Sequence, residues 1–336
     1  MAVTGTDLLP KNDAASPLDN GGGAWARQKE QSAGRGRIAL MWWIYRILGK
    51  TVQKLAFIPA MLFIYPFCAP AKRALRQFYG VLAAWNPGHA GIGRPGTLRL
   101  FRHLIGFAWS LMDKTDACTL KKNLPSMSVR DDDGWRAFRD LVAGGKGAFV
   151  MSSHLGTIEV LPALASVDAS MRGTARVPFV HAFQQMTHDS VFTEAFMRHF
   201  DHSAMSLHAV EEIGAETACE MQDAIGRGEL VIMAGDRLSA GSVATLPHAF
   251  MGRECRWPKG VFVFAKLMES PVFFATCVRT GWNSYEAHFA QYRGDASNAA
   301  GLLDAYVAFL EREVDLHPEQ WYHFHEFFGC GEGGCE

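Results

Sequence analysis

From Asp113 onward, short apolar runs alternate with stretches whose apolar residues recur at helical spacing, and that alternation restricts the chain to an α/β fold. The pattern predicts strands over 147–153, 177–181 and 230–233, with an adjacent strand pair over 272–278 and 285–289. It predicts helices over 135–142, 189–200, 211–225, 260–268 and 301–314, the third ended by Gly226 and Gly228. Together these elements make a mixed central sheet flanked by helices. Chemistry in such sheets gathers at the carboxyl ends of strands. Two polar groups stand at such ends: His154, and the run Gly235-Asp236-Arg237.

The strand over 147–153 delivers His154, and Glu159 follows five positions later. A histidine at the mouth of a buried strand, held by a carboxylate, is suited to taking a proton from a hydroxyl near neutral pH. On one continuous helix a five-residue separation leaves side chains about 140° apart, so the two meet only across a strand, loop and helix bend. Gly156 permits the tight turn, and Thr157 is placed to begin a helix through Glu159 to Ala165, with Pro162 early enough to be tolerated. The plainer reading is a polar residue at a loop, since 13 histidines make chance placements common.

The strand over 230–233 opens into a loop carrying Gly235, Asp236, Arg237, Ser239 and Gly241. An Asp and an Arg side by side can hold a hydroxyl with one and a phosphate or carboxylate with the other, or simply pair on a turn. Ala249 to Arg253 reads as a glycine turn, and Trp257-Pro258-Lys259-Gly260 as a proline turn into a helix whose N-terminus favours an anion.

Ahead of this region the chain changes character. Residues 1–36 include Gly21-Gly22-Gly23, show little periodicity and lack the features of a secretory signal, which predicts a disordered tail. A short flexible tail is expected over 329–336. From Gln31 to Met112 there is no Asp or Glu against eleven Lys and Arg, so a formal net charge of −1 conceals a basic segment and an acidic remainder. Nucleic acid or an anionic membrane surface would suit such a segment. Its apolar content decides for the membrane: Ile38 to Tyr45 and Leu55 to Ala69 are aromatic-rich and flanked by Lys and Arg, unlike the isolated stacking aromatics of a nucleic-acid site. The longer run falls short of the about 20 apolar residues of a bilayer crossing and holds Pro59 and Pro66. Residues 37–112 are therefore expected to dock on one leaflet as a helical segment, the alternative being an amphipathic helix packed on the domain. Residues 113–328 are expected to form an α/β catalytic domain.

Seven dispersed cysteines suit a reducing compartment. Asp131-Asp132-Asp133 and the pair His323 and His325 have spacings seen in metal sites, which would fit a metal-dependent hydrolase or glycosyltransferase acting on a membrane lipid. Helix capping accounts equally for the aspartates, and packing on one face of a strand for the histidines. A protein that binds lipid without chemistry is a third reading, and it leaves His154, Glu159 and Asp236 unexplained.

Taken in order, these residues resemble the lysophospholipid acyltransferase superfamily, in particular its lipid A late-acyltransferase branch. Ser152-Ser153-His154-Leu155-Gly156-Thr157-Ile158-Glu159 is similar to the family's H-x4-D/E motif. Phe250-Met251-Gly252-Arg253 and Pro258-Lys259-Gly260 resemble its turn motifs, and Pro318-Glu319-Gln320-Trp321 its closing segment. The resemblance runs from about Ile38 to Phe328 and is nearer to the divergent acyltransferases of bacterial polyene and other fatty-acid-like pathways.

This resemblance implies a glycerol-phosphate acyltransferase-like fold at the cytoplasmic face of a bacterial inner membrane, peripheral or monotopic. It implies transfer of a fatty or polyene-like acyl chain from an acyl carrier protein or acyl-CoA thioester to a hydroxyl of a lipid or glycolipid. His154 would be the general base, with Glu159 orienting it and stabilising the imidazolium. Gly156, Asp236, Arg237, Phe250, Gly252, Arg253 and Pro258 would bind acceptor or acyl chain. Neither metal, cofactor nor covalent enzyme intermediate is implied.

Overall fold

Strand β2, Ala148–Ser152, is buried at all five positions, as a strand covered on both faces must be. Phe149 and Met151 belong to one apolar layer, Ala148 and Val150 to the other, following the two-residue period of a strand. The computed structural model describes residues 35–119, 126–160, 178–185, 205–238 and 244–328. Residues 1–34 of the tail expected over 1–36, the tail expected over 329–336, the helix expected over 189–200, and Ser239 and Gly241 lie outside the described residues; Arg35 and Gly36 begin a helix instead.

Within these, β2 is the middle strand of a seven-stranded mixed sheet. Its order is β1 (Ser126–Val129), β9 (Ser284–Gln291), β8 (Val272–Arg279), β2, β5 (Leu230–Ala234), β3 (Val180–Gln184) and β4 (Met205–Ala209). The strands from β8 to β4 run parallel, β9 is antiparallel to β8, and β1 is parallel to β9. On one face α5 (Ala215–Gly226), α6 (Lys259–Leu267) and α7 (Ala299–Leu316) bury Met221, Phe264, Tyr306 and Leu310 in a layer shared with Phe149, Met151 and Met233. On the other, α4 (Asp133–Ala143) buries Trp135 and Phe138, the latter stacked on Phe289 at 4.3 Å. Cutting Phe149 to alanine in such a layer costs about 3–5 kcal/mol.

The aspartate run is the start of α4. Asp132 accepts a hydrogen bond from the Trp135 N–H at 3.0 Å, and Asp131 and Asp133 both pair with Arg136. Asp132 is therefore the cap of α4, and its two neighbours are taken up by Arg136.

Several boundaries differ from expectation. The helix expected from 211 begins at Ala215, because Gly214 stands extended as its N-cap and a separate 3-10 turn covers Val210–Glu212. The strand expected over 177–181 is β3, three residues later. The expected turn around 250 is the tip of a hairpin, β6 (Thr245–Phe250) paired with β7 (Arg253–Pro258), and the expected turn at 258 leads from β7 into α6. Met251 and Gly252 join them, both with positive φ (51° and 72°), the two-residue turn that matches strand twist. Pro247 and the charged residues of β7 erase the alternation that would have marked these strands.

The basic segment is helical: α1 (Arg35–Ile64), broken at Gly49, then α2 (Ala69–Trp85) and α3 (Thr97–Thr119). The stretch Ile47–Phe67 is long and apolar enough for a membrane, and Leu48, Leu62, Phe63 and Phe67 are exposed. Its lysines point the other way. Lys50 and Lys54 bond the two oxygens of buried Asp113 on α3 at 2.7 and 2.8 Å. They also reach Asn283 and the Trp282 carbonyl, in the turn between β8 and β9. Arg99 and Arg102 of α3 similarly meet Glu319 beyond α7. The segment is thus fastened to the α/β unit along one face while its apolar side faces outward.

Candidate active site

β2 and β5 pair in parallel until Ser152 stands opposite Ala234. The Gly235 N–H donates to the Ser152 carbonyl at 2.9 Å, extending the pairing past the strand ends. Tyr306 donates its hydroxyl hydrogen to that same carbonyl at 2.7 Å. Two residues beyond that last pair on each strand, His154 and Asp236 meet. His154 Nδ1 is 2.7 Å from Asp236 Oδ1, and the His154 backbone N–H donates to Oδ2 at 2.8 Å. His323, from the irregular segment after α7, brings Nε2 to the same Oδ2 at 2.9 Å.

These bonds assign protons. Asp236 is fully buried, and burial alone would raise its carboxyl; the imidazoles of His154 and His323 reverse that and hold it well below the usual carboxylate range. A carboxylate only accepts, so His154 carries hydrogen on Nδ1 and, when neutral, a bare lone pair on Nε2. His323 likewise donates from Nε2. Burial pushes its imidazole down to about 4 against the pull of Asp236, so it is neutral at pH 7. His154 alone of the three keeps substantial exposure, 34 % of its side chain, and so can meet a substrate.

The backbone around His154 is tied on both sides. The Tyr322 N–H donates to the His154 carbonyl at 2.9 Å, and the Gly156 N–H to the Gln320 carbonyl at 2.9 Å. Gly156 has φ of +72°, and a Cβ there would run into the carbonyl of Cys277 on β8. Its part is to let the chain pass close to β8, where the Thr157 N–H bonds that same carbonyl at 2.8 Å.

The remaining expected residues fall in several places. Glu159 lies on a 3-10 turn, Ile158–Val160, in place of the α-helix expected there; its side chain and residues 161–165 lie outside the described residues. At His154 Nδ1, the nitrogen that an orienting carboxylate would hold, the structure places Asp236. Arg237 is half-buried and donates from Nη2 to the Tyr322 carbonyl at 2.8 Å; loss of solvent lowers its guanidinium to about 10, partly offset by Asp236. That bond ties it to the irregular segment after α7. Phe250 is buried against Trp257, Trp321 and Phe327, and Pro258 is buried as the N-cap of α6. Gly252 and Arg253 are exposed at the hairpin tip.

His323 is the residue that sequence reasoning assigned to packing on a strand. It does pack, its ring stacked on Trp321 at 4.4 Å, but on an irregular segment, and its Nε2 belongs to the site. His154, Asp236 and His323 each offer a potential metal-ligand atom, all within 4.8 Å of one another.

No protein-family model matches the chain, and no curated protein matches it.

Proposed function

We propose that the protein is an O-acyltransferase that moves a fatty or polyene-like acyl chain from an acyl carrier protein or acyl-CoA thioester to a hydroxyl of a lipid or glycolipid. The observation that carries this reading is the 2.7 Å bond between His154 Nδ1 and buried Asp236, which readies Nε2 as a base. In this reading His154 Nε2 takes the acceptor's hydroxyl proton as its oxygen attacks the thioester carbonyl. Asp236 stabilises the imidazolium that forms. Collapse of the tetrahedral intermediate breaks the carbon–sulfur bond, and the imidazolium returns the proton to the thiolate. The exposed apolar side of Ile47–Phe67 supports association with a membrane, within reach of a lipid acceptor; a peripheral or monotopic seat on the cytoplasmic face of a bacterial inner membrane is part of the proposal. The finer, glycerol-phosphate acyltransferase-like classification of the fold is part of the same proposal.

The test is transfer of label from acyl carrier protein and from acyl-CoA to a total bacterial lipid extract, by wild type and His154→Ala in parallel. Wild type should yield a labelled lipid, and the variant at least about a hundredfold less. Equal yields would remove His154 from the mechanism.

A metal-dependent hydrolase or glycosyltransferase is the second reading, favoured by the convergence of His154, Asp236 and His323. Both imidazole N–H groups now point at carboxylate oxygens 2.7 and 2.9 Å away, so a cation bound by all three would have to displace those protons and part the groups. Stoichiometric metal in purified protein, together with no acyl transfer from either donor, would favour this reading over the first.

A further inference from the structure

His103 lies on α3, outside the site, and is completely buried. Its Nε2 is 3.1 Å from the Trp321 carbonyl oxygen, which can only accept, so Nε2 carries the hydrogen. Nδ1 is therefore bare, and the Tyr79 hydroxyl on α2, 3.0 Å away, donates to it. The Trp321 oxygen accepts a second bond, from the backbone N–H of His323 at 3.0 Å. The His103 ring also meets the rings of Tyr322 and Phe324 edge-on, at 5.9 and 5.8 Å. One imidazole thus holds the residues on both sides of His323.

From there two short routes lead to the reacting group. His323 bonds Asp236 through its side chain, and the Tyr322 N–H bonds the His154 carbonyl. We propose that His103 is a positioning residue for the His154–Asp236 pair, acting through the Trp321 carbonyl and His323, with Tyr79 fixing its tautomer. The kinetic part rests on the reading of His154 as a base. Burial pushes His103 down to about 4, so at pH 7 it supplies no charge to the site and acts by geometry alone.

The experiment compares wild type with His103→Phe, His103→Gln and Tyr79→Phe, each as the full chain in detergent. Phenylalanine keeps the ring and removes both bonds. Glutamine returns an N–H donor close to where Nε2 stands. His103→Phe should lower kcat about tenfold to a hundredfold with KM within about twofold, the scale of a small misplacement of a catalytic group. His103→Gln should recover to within about threefold of wild type, a rescue that general loss of packing would not show. Wild-type kcat in His103→Phe, or equal impairment in both variants, would overturn the proposal. Should His103→Phe fail to fold, Tyr79→Phe carries the test through one lost hydroxyl, with a fall in kcat of about threefold expected and an unchanged kcat counting against it.

A second readout needs no substrate. The His154 Nδ1–H, held by Asp236, should exchange with water at least about tenfold faster in His103→Phe by histidine ring NMR. Faster exchange in a protein that transfers no acyl chain would sink the acyltransferase reading and keep the positioning role. Unchanged exchange would sink the positioning role whatever the reaction.

Discussion

His154 and Asp236 each stand two residues beyond the last paired position of adjacent parallel strands, so the 2.7 Å bond between them is a product of register. A slip of one residue between β2 and β5 would move one partner by about 3.3 Å and turn it to the other face of the sheet. The same carboxylate accepts the backbone N–H of His154, so ring and backbone are located together.

Asp236→Asn tests what that carboxylate does. Three N–H groups converge on two oxygens that only accept, and an amide offers one oxygen and two hydrogens. An amide nitrogen facing Nδ1 would force the imidazole hydrogen onto Nε2 and remove the base. Transfer should fall by at least about a hundredfold in kcat, with the donor's KM little changed. A variant with wild-type kcat would show that the tautomer of His154 is irrelevant to the reaction.

Much of this arrangement was legible in the sequence, though not which carboxylate meets His154. The apolar run of β2 and the strand over 230–233 are plain in the sequence, and so are the polar clusters that follow each of them. Glu159 was preferred because it is five residues away, whereas Asp236 is 82 residues away and is brought close only by a ladder that places β5 beside β2. Pairing order is a property of the whole sheet. His323 was hidden for a related reason: an aromatic run without periodicity gives no sign that one imidazole in it turns toward a buried carboxylate. The hairpin of β6 and β7 was legible only at its turn, since its half-exposed strands lack an apolar alternation.

Gly156→Ala should be severe although no side-chain contact is removed. The left-handed backbone costs an alanine about 1–2 kcal/mol. The added methyl also meets the Cys277 carbonyl, part of a strand that cannot yield locally. The urea midpoint should drop clearly, with activity lost in step. An unchanged midpoint would mean that the chain does not pass β8 as closely as described.

Acid should destabilise the protein before its carboxylates titrate. Buried His103 and His323 are held near 4 and His325 near 2, each below the ordinary imidazole value of 6.5. Between about pH 6.5 and 4 the unfolded chain therefore binds protons that the folded protein refuses, and stability falls as pH falls. Each such group contributes a slope of up to about 1.4 kcal/mol per pH unit. Thermal melts from pH 7.5 to 4.5 should show Tm declining below about 6.5, and His103→Phe should flatten the decline by one proton's worth. A Tm that rises on acidification would contradict the burial of these imidazoles.

The outward side of α1 and the turn after it should control lipid attachment. Phe63 and Phe67 are 77 % and 67 % exposed, with Leu62 beside them. Burying one such side chain is worth about 1.5–3 kcal/mol. The triple change of Leu62, Phe63 and Phe67 to serine should weaken partition into uncharged phosphatidylcholine vesicles by at least about a hundredfold, leaving the melting temperature in solution nearly unaltered. Undiminished partition would place the lipid contact elsewhere.

The inward lysines of α1 carry a consequence for how the protein is held on a surface. Asp113 pairs with both Lys50 and Lys54, Glu319 meets Arg99 and Arg102, and Glu326 approaches Arg73, so five of the eleven cations that make the segment look basic already face three carboxylates of the same chain. Adhesion by cations is screened away when ionic strength rises, whereas adhesion by apolar side chains is not. Concentrated salt should therefore leave this protein in the membrane pellet, and detergent should release it.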